Sequence, residues 1–183
     1  MPRSTLKNYA SKLCNVADLY NHSSTLLTLY LDLGVNKVIL CCGTNDITNL
    51  PFTSHSVQEI AQHVSDVVSK FNTLCNSKHV TLLYVTPTPN SYVSHTGFKE
   101  FSKTLNSLLT TKKIHYIQPF EILKTSPNMS YEDVIRHCIS DQLHWTFEAS
   151  RRILKASSSH FSSLPSHVMT RDIVSEAATR RYR

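Results

Sequence analysis

Three mainly apolar stretches stand out along the chain, at 37–42, 79–85 and 114–117. Runs of this length without polar alternation are typical of strands in a parallel sheet that helices cover. The first run, which ends in two cysteines, predicts a central strand with both faces covered. Each run is followed by polar residues, so we expect three short strands separated by other elements.

Between these runs the apolar positions recur every three or four residues, which is the period of an amphipathic helix. This pattern predicts helices over 57–71 and 98–109, the first opened by a capping box of Ser56 and Glu59. A leucine-rich helix over 23–33 would begin at Ser23 or Ser24 and stop at Gly34. A last helix is expected from Thr146, with Phe147, Ile153 and Leu154 on one face, after a polar loop at 124–140.

Helices and strands therefore alternate, which predicts an α/β fold: a parallel sheet with helices on both faces. The length of 183 residues suits one compact domain. We place that domain at 1–156 and interpret 157–183 as a basic, Ser-rich C-terminal tail, with a linker up to Ser166.

Composition excludes several kinds of protein. The chain has three glycines (Gly34, Gly43 and Gly97), too few and too scattered for a dinucleotide fingerprint or a phosphate-binding loop. Its five cysteines contain no C-x-x-C, so we expect reduced thiols, no zinc or other metal, and no cofactor. No apolar run approaches the ~18 residues of a membrane span, and no secretory signal is evident. We expect a soluble intracellular protein, cytoplasmic by default, with no membrane partner.

Positive charge is concentrated at the C-terminal end. Residues 151–183 contribute +5 of the net +6 charge. A terminal basic cluster is usually a solvated tail, but it is also a way to hold the phosphates of RNA or DNA. The basic residues are Arg151, Arg152, Lys155, Arg171, Arg180, Arg181 and Arg183.

Two polar clusters lie where an open α/β sheet binds ligands, beyond the carboxyl ends of its strands. Gly43-Thr44-Asn45-Asp46 follows the first strand, and Asp141-Gln142-Leu143-His144 precedes the last helix. In a D-x-x-H turn the carboxylate can accept the Nδ1 proton of the imidazole, which leaves Nε2 as a general base. An asparagine amide at a strand end can donate to a developing oxyanion. Taken alone, the first cluster also fits a simple turn and the second a helix cap.

Together these clusters resemble the third and fifth sequence blocks of the SGNH, or GDSL-type, hydrolases, which are mostly esterases and lipases. The resemblance covers about residues 20–156. It implies a three-layer α/β/α sandwich with a flavodoxin-like parallel sheet, and no cofactor. It also implies His144 as general base, Asp141 as the carboxylate that orients it, and Asn45, with Gly43 beside it, at the oxyanion position.

The chain departs from this pattern at its N-terminal end. The nucleophile of these hydrolases is a serine in a Gly-Asp-Ser turn after the first strand, and no Gly-Asp-Ser exists here. We therefore expect the first strand to be missing and the chain to be truncated or degenerate. Ser4, Ser11, Ser23 and Ser24 lie in the right part of the chain to replace that serine. Met1–Leu6 resembles the Pro-Gly-Ala-Thr stretch of esterase-like domains in some retroelement proteins, with Arg3 in the glycine's place.

Two functions follow from these features. The first is hydrolysis of small carboxylic esters, with acetyl or short acyl groups, by a Ser-His-Asp mechanism. The alternative is a catalytically inactive module of the same fold that binds RNA or DNA through its basic C-terminus. The sequence leaves the oligomeric state undetermined.

Overall fold

The computed structural model describes residues 15–49, 54–141 and 143–163. Seven helices and three strands form within these ranges. In chain order they are α1 (Val16–Asp32), β1 (Lys37–Cys41), α2 (Thr44–Thr48), α3 (Val57–Asn76), β2 (Thr81–Val85), α4 (His95–Thr111), β3 (His115–Ile117), α5 (Pro119–Leu123), α6 (Tyr131–Cys138) and α7 (Phe147–Ser163).

The three described strands form one parallel sheet in the order β1-β2-β3. The register pairs Lys37 with Thr81 and Cys41 with Val85, so β1 and β2 end at the same level. α3 connects β1 to β2 and α4 connects β2 to β3. The predicted α/β class with a parallel sheet is confirmed. The expected lack of a first strand concerns the part of the chain before Asn15, which lies outside the described residues.

Helices cover the sheet on two sides and make it the middle of three layers. One core joins α1, α3 and α4 to the side chains of β2 that face them, Leu82 and Tyr84. The other core joins α5, α6 and α7 to Val85, on the opposite face of the same strand. Because successive side chains of a strand point to opposite faces, Tyr84 and Val85 belong to different cores. None of the described helices is long and apolar enough to cross a membrane.

α3 shows how closely the apolar period determines a helix here. The Ser56 side chain accepts from the Glu59 amide, and the Glu59 carboxylate accepts from the Ser56 amide, so the predicted capping box is present. The helix runs to Asn76, beyond the predicted end at 71. Its buried positions follow the predicted stripe and include Ile60, Ala61, Val64, Val67, Val68 and Phe71.

The prediction for the first helix was wrong at its start. α1 begins at Val16, where the Asn15 side chain accepts from the Asp18 amide at 2.9 Å. The polar stretch 21–24 interrupts its apolar residues, which conceals the start in the sequence, and Ser23 and Ser24 lie inside the helix. The end was predicted correctly, because Gly34 has φ 90° and follows the last turn.

The prediction that helices cover both faces of β1 was also wrong. Side chains along the strand alternate between exposed and half-buried, with Lys37, Ile39 and Cys41 exposed. Val38 and Leu40 pack against the core on the α3 side. The apolar run is a strand because β2 pairs with it. Its second face is only partly covered by the described residues: Ile39 is 39% exposed, and the Lys37 ammonium lies over the Phe161 ring of α7.

Two further predictions fail in the second half of the chain. The region expected to be a polar loop contains α6, which Ser130 and Asp133 open with a capping box. The expected linker after 156 begins inside α7, where Ser157 is buried and donates to the Ile153 carbonyl oxygen at 2.9 Å. In that helix Phe147 is 85% exposed and Leu154 57%, so only Ile153 of the predicted apolar face is buried.

A side chain at Gly43 would lower the stability of the fold. It has φ +95°, and a Cβ there would lie 3.1 Å from Pro87 Cγ and from the Tyr84 hydroxyl oxygen. We expect Gly43→Ala to lower the free energy of unfolding by about 1–3 kcal/mol, the cost of a residue held in a disfavoured conformation. Denaturant unfolding followed by circular dichroism measures this.

Gly97→Ala is the matched control. Gly97 lies in α4, and a Cβ there would meet open space. Alanine is the better helix former, so the same measurement should show a gain of up to about 1 kcal/mol. Equal losses at the two positions would mean that the left-handed turn is not what distinguishes Gly43.

Candidate active site

A cleft of about 370 Å³ lies at the carboxyl ends of β1 and β2. It brings together Asn45, from the turn after β1, and His144, from the loop before α7. This is the edge of the sheet at which open α/β folds bind ligands. The other residues that line it are Cys41, Cys42, Thr44, Val85, Thr86, Thr88, Leu143, Trp145 and Ser150.

Asp141 and His144 are in direct contact. The carboxylate oxygen Oδ2 of Asp141 lies 2.7 Å from Nδ1 of His144. An ionised carboxylate can only accept a hydrogen bond, so the imidazole proton is on Nδ1. Nε2 then carries a lone pair and can act as a base.

The other oxygen of Asp141, Oδ1, accepts from the backbone. It receives the N–H groups of His144 at 2.7 Å and Leu143 at 3.3 Å. These backbone bonds, with the imidazole bond, lower the pKa of Asp141 to about 2. The carboxylate is therefore charged at neutral pH and able to stabilise a positive charge on the His144 ring.

The loop that carries this pair is held at both ends. The Ser140 amide donates to the His144 carbonyl oxygen and the Thr146 amide to that of Cys138, each at 2.8 Å. The Trp145 indole N–H donates to the Thr88 hydroxyl at 2.8 Å, which ties the loop to the segment after β2. Asp141 does not cap α7. That helix begins at Phe147, and the hydroxyl of Thr146 accepts from the amide of Ala149.

The turn after β1 positions Asn45. The left-handed conformation of Gly43 ends the strand and starts α2, in whose first turn Asn45 lies. Its neighbour Asp46 is directed away from the cleft and is buried. There it accepts from the Val16 amide at 3.0 Å, and burial raises the pKa of its carboxyl group. Asp46 thus joins the start of α1 to the turn.

None of the serines that the sequence analysis offered as nucleophiles is seen at the cleft among the described residues. Ser23 and Ser24 lie within α1 and do not line the cleft. Ser4 and Ser11 lie outside the described residues. The described serine that does line the cleft is Ser150, near the start of α7, which the sequence analysis did not single out. No signal in the sequence marks it, because its approach to the cleft depends on how α7 packs.

Cysteine thiols and a metal ion are weaker candidates than a serine for the reactive group of the cleft. Cys41 and Cys42 line the cleft, but the protein atoms around each thiol displace water and raise the pKa of both, that of the partly exposed Cys41 to about 11. A thiol with such a pKa is protonated, and so a poor nucleophile, near neutral pH. Among the described residues, no group of three or more His, Cys, Asp or Glu side chains is arranged to hold a metal ion.

Comparisons with known proteins identify the fold. No protein-family model and no curated protein matches the chain. Among solved structures, a candidate acylhydrolase from Bacteroides fragilis is 15% identical to this chain, with a TM-score of 0.52. A candidate lipolytic protein of the G-D-S-L family from Desulfitobacterium hafniense is 16% identical, with a TM-score of 0.55. An α/β hydrolase enzyme from the metagenome of Lake Arreo, Spain, is 13% identical with a TM-score of 0.56.

The similarity extends over most of this chain but not over the whole of its neighbours. It covers 69%, 81% and 85% of this chain, and 61%, 76% and 71% of the three proteins in the same order. The chain thus spans less than two thirds of the Bacteroides protein. At these identities the similarity establishes the fold, that of the SGNH or GDSL-type hydrolases, and confirms the resemblance seen in the sequence at that level.

The hydrogen bonds on Asp141 predict its titration. An ordinary aspartate has a pKa of about 3.9, whereas this one should titrate near pH 2 in carbon-detected NMR of the folded protein. Because the folded-state pKa is the lower one, these bonds contribute stability above the ordinary range and lose it as the pH falls towards 2. A midpoint near 3.9 would show that the pair does not form in solution.

Proposed function

We propose that this chain is an ester hydrolase domain that cleaves small carboxylic esters, with acetyl or short acyl groups, through a serine acyl-enzyme. One observation carries the proposal: the imidazole of His144, oriented by Asp141, shares a cleft with the Asn45 side chain. The fold, shared with a candidate acylhydrolase and a candidate lipolytic protein from two bacteria, supports it. The volume of about 370 Å³ suits a short acyl chain better than a long one.

His144 supplies the proton transfers of this mechanism. A serine hydroxyl attacks the ester carbonyl carbon while Nε2 of His144 accepts its proton. The resulting imidazolium is stabilised by the charged carboxylate of Asp141 on its other side. Nε2 then returns the proton to the departing alkoxide, and the acyl group stays on the serine oxygen. A water molecule repeats the sequence and releases the acid.

Asn45 supplies the electrostatic part. When the carbonyl becomes tetrahedral, its oxygen gains a full negative charge. The Asn45 amide donates to that oxygen, and the backbone at Gly43 is the second group assigned to the oxyanion position. Such a donor acts on the transition state more strongly than on the substrate, so its loss should lower kcat rather than raise KM.

These roles predict the effect of two substitutions on the hydrolysis of p-nitrophenyl acetate. His144→Ala removes the base and should lower kcat by about 10²–10⁴-fold. Asn45→Ala should lower kcat by about 10²–10³-fold with little change in KM. His137→Ala, an exposed histidine of α6 outside the cleft, is the control and should leave both constants unchanged.

The nucleophile is located with a fluorophosphonate probe and mass spectrometry. We expect stoichiometric labelling of one serine, lost in His144→Ala and kept in His137→Ala. Labelling that persists without His144 would contradict the assigned base. A folded sample with neither labelling nor hydrolysis would exclude the esterase and leave the second function to be tested.

The second function, binding of RNA or DNA through the basic C-terminus, stays a prediction. Two basic residues of that region have partners within the fold: Arg151 pairs with Glu148, and Arg152 donates to the carbonyl oxygens of 122–124. Deletion of 167–183, which leaves these residues in place, should weaken binding to a fluorescent oligonucleotide and reduce its salt dependence. Unchanged binding would remove the basis for this function.

A further inference from the structure

A second cavity, of about 610 Å³, lies at the carboxyl ends of β2 and β3. Its lining residues all fall between 86 and 132, within a continuously described part of the chain. Thr86 is the one residue that also lines the cleft, and the buried segment Thr86–Asn90 separates the two spaces. This cavity is therefore a distinct site, and its volume is in the range of small-molecule sites.

One face of α4 supplies the polar wall of the cavity. The residues of this wall are Lys99, Ser102, Lys103 and Asn106. Their spacing of i, i+3, i+4 and i+7 places them on a single stripe of the helix. Two ammonium groups, a hydroxyl and an amide thus border one space.

The two lysines of this wall repel each other. Lys99 and Lys103 lie one helical turn apart, a spacing at which like charges disfavour the helix. The lysine ion pairs of the described residues are formed by Lys78, Lys112 and Lys124, and not by these two. An anion between the two ammonium groups would remove the repulsion and accept a charge-assisted hydrogen bond from each. A phosphate monoester, with a charge near −2 at neutral pH, suits a pair of cations.

Two carboxylates also line the cavity but do not cancel this charge. Glu121 accepts from the Lys124 ammonium at 2.9 and 3.0 Å, so the charges of these two residues balance. Glu132, exposed in the first turn of α6, then leaves one negative charge against the two positive charges of the α4 wall. The cavity keeps a net positive charge.

Asn106 has one amide atom without a partner. Its Nδ2 donates to Oε1 of Gln118 at 2.8 Å, while its Oδ1 is buried and accepts from no described residue. A buried acceptor without a donor lowers stability, which points to a missing partner. The terminal torsion of asparagine is broad, so a small rotation brings this end of the amide to the cavity. A ligand hydroxyl fits there, because it can both donate and accept.

Aromatic rings form the apolar part of the cavity. The rings of Phe98 and Phe120 meet edge to face at 5.9 Å between centroids, and Tyr131 lies 5.4 Å from Phe98. The Tyr131 hydroxyl donates to the backbone oxygens of Asn90 and Val93, so it is not available to a ligand. Phe120 is only half-buried, which leaves part of its ring open to the apolar side of a small molecule.

We propose that this cavity binds a small phosphorylated sugar. Its phosphate lies between Lys99 and Lys103, and one of its hydroxyl groups bonds to the Asn106 amide. The ligand class follows from the groups that the fold leaves unsatisfied: two cations one turn apart and a buried amide oxygen. This site is independent of ester hydrolysis, since it uses neither His144 nor Asn45.

Isothermal titration calorimetry of the full chain with ribose 5-phosphate tests the site, and one bound molecule per chain is expected. Lys99→Met and Lys103→Met each remove one ammonium group and keep an unbranched side chain, so each should weaken binding by about tenfold or more. Lys155→Met, at an exposed lysine of α7 outside the cavity, is the control and should bind as the unmodified chain does. Circular dichroism melts show that each variant is folded.

Two further variants test the assigned contacts. The unmodified chain should bind ribose 5-phosphate about two- to tenfold more tightly than inorganic phosphate, and Asn106→Leu should abolish this preference. The ratio compares two ligands on one protein, so a loss of stability in the variant does not affect it. Glu132→Gln removes the opposing charge and should strengthen binding of both ligands by about two- to fivefold.

Three results would overturn the proposal. One is the absence of binding at millimolar ribose 5-phosphate. Another is an equal loss in Lys155→Met and in the two cavity variants, which would mean that net charge and not the cavity holds the anion. The last is binding that appears only after deletion of 167–183, which would mean that this segment occupies the cavity in the full chain.

Discussion

The left-handed turn at Gly43 is the constraint on which the site and the packing around it depend. A residue at φ +95° reverses the chain at the end of β1 while Val64, Tyr84 and Pro87 leave no room for a side chain. Two neighbouring residues in the helical turn that follows then lie on opposite sides. Asn45 lines the cleft, and Asp46 reaches back to the first helix. One backbone conformation thus positions the amide for chemistry and the carboxylate for structure.

The two aspartates of the motifs show how surroundings divide such roles. Asp141 is exposed and accepts three hydrogen bonds, which hold its pKa low and keep it charged beside His144. Asp46 is buried, and loss of water raises its pKa although the Val16 amide donates to it. The charge that the proposed mechanism needs is therefore on the carboxylate that water and backbone donors stabilise. Asp46 is consistent with a structural role, since its partner belongs to the backbone of α1.

The sequence was most informative where one local interaction decides the outcome. The capping box of Ser56 and Glu59 and the D-x-x-H spacing each require only nearby residues, so α3 and the contact of Asp141 with His144 could be predicted. The approach of Ser150 to the cleft could not be, because it depends on how α7 packs. The exposure of Ile39 was missed for the same reason: an apolar run predicts a strand, but burial of its faces depends on elements elsewhere in the chain.

The exposed side of β1 and the cleft meet at the carboxyl end of that strand, and this bears on the proposed catalysis. A hydrogen bond from Asn45 to an oxyanion is strong only where water is excluded, because water competes for the charge and raises the local dielectric constant. On the side of β2 the buried segment Thr86–Asn90 and the indole of Trp145 close the cleft. On the side of β1 the described residues leave Cys41 and Ile39 in contact with solvent. Any polypeptide that covers Cys41 and Ile39 would therefore strengthen the proposed oxyanion interaction without adding a group to it.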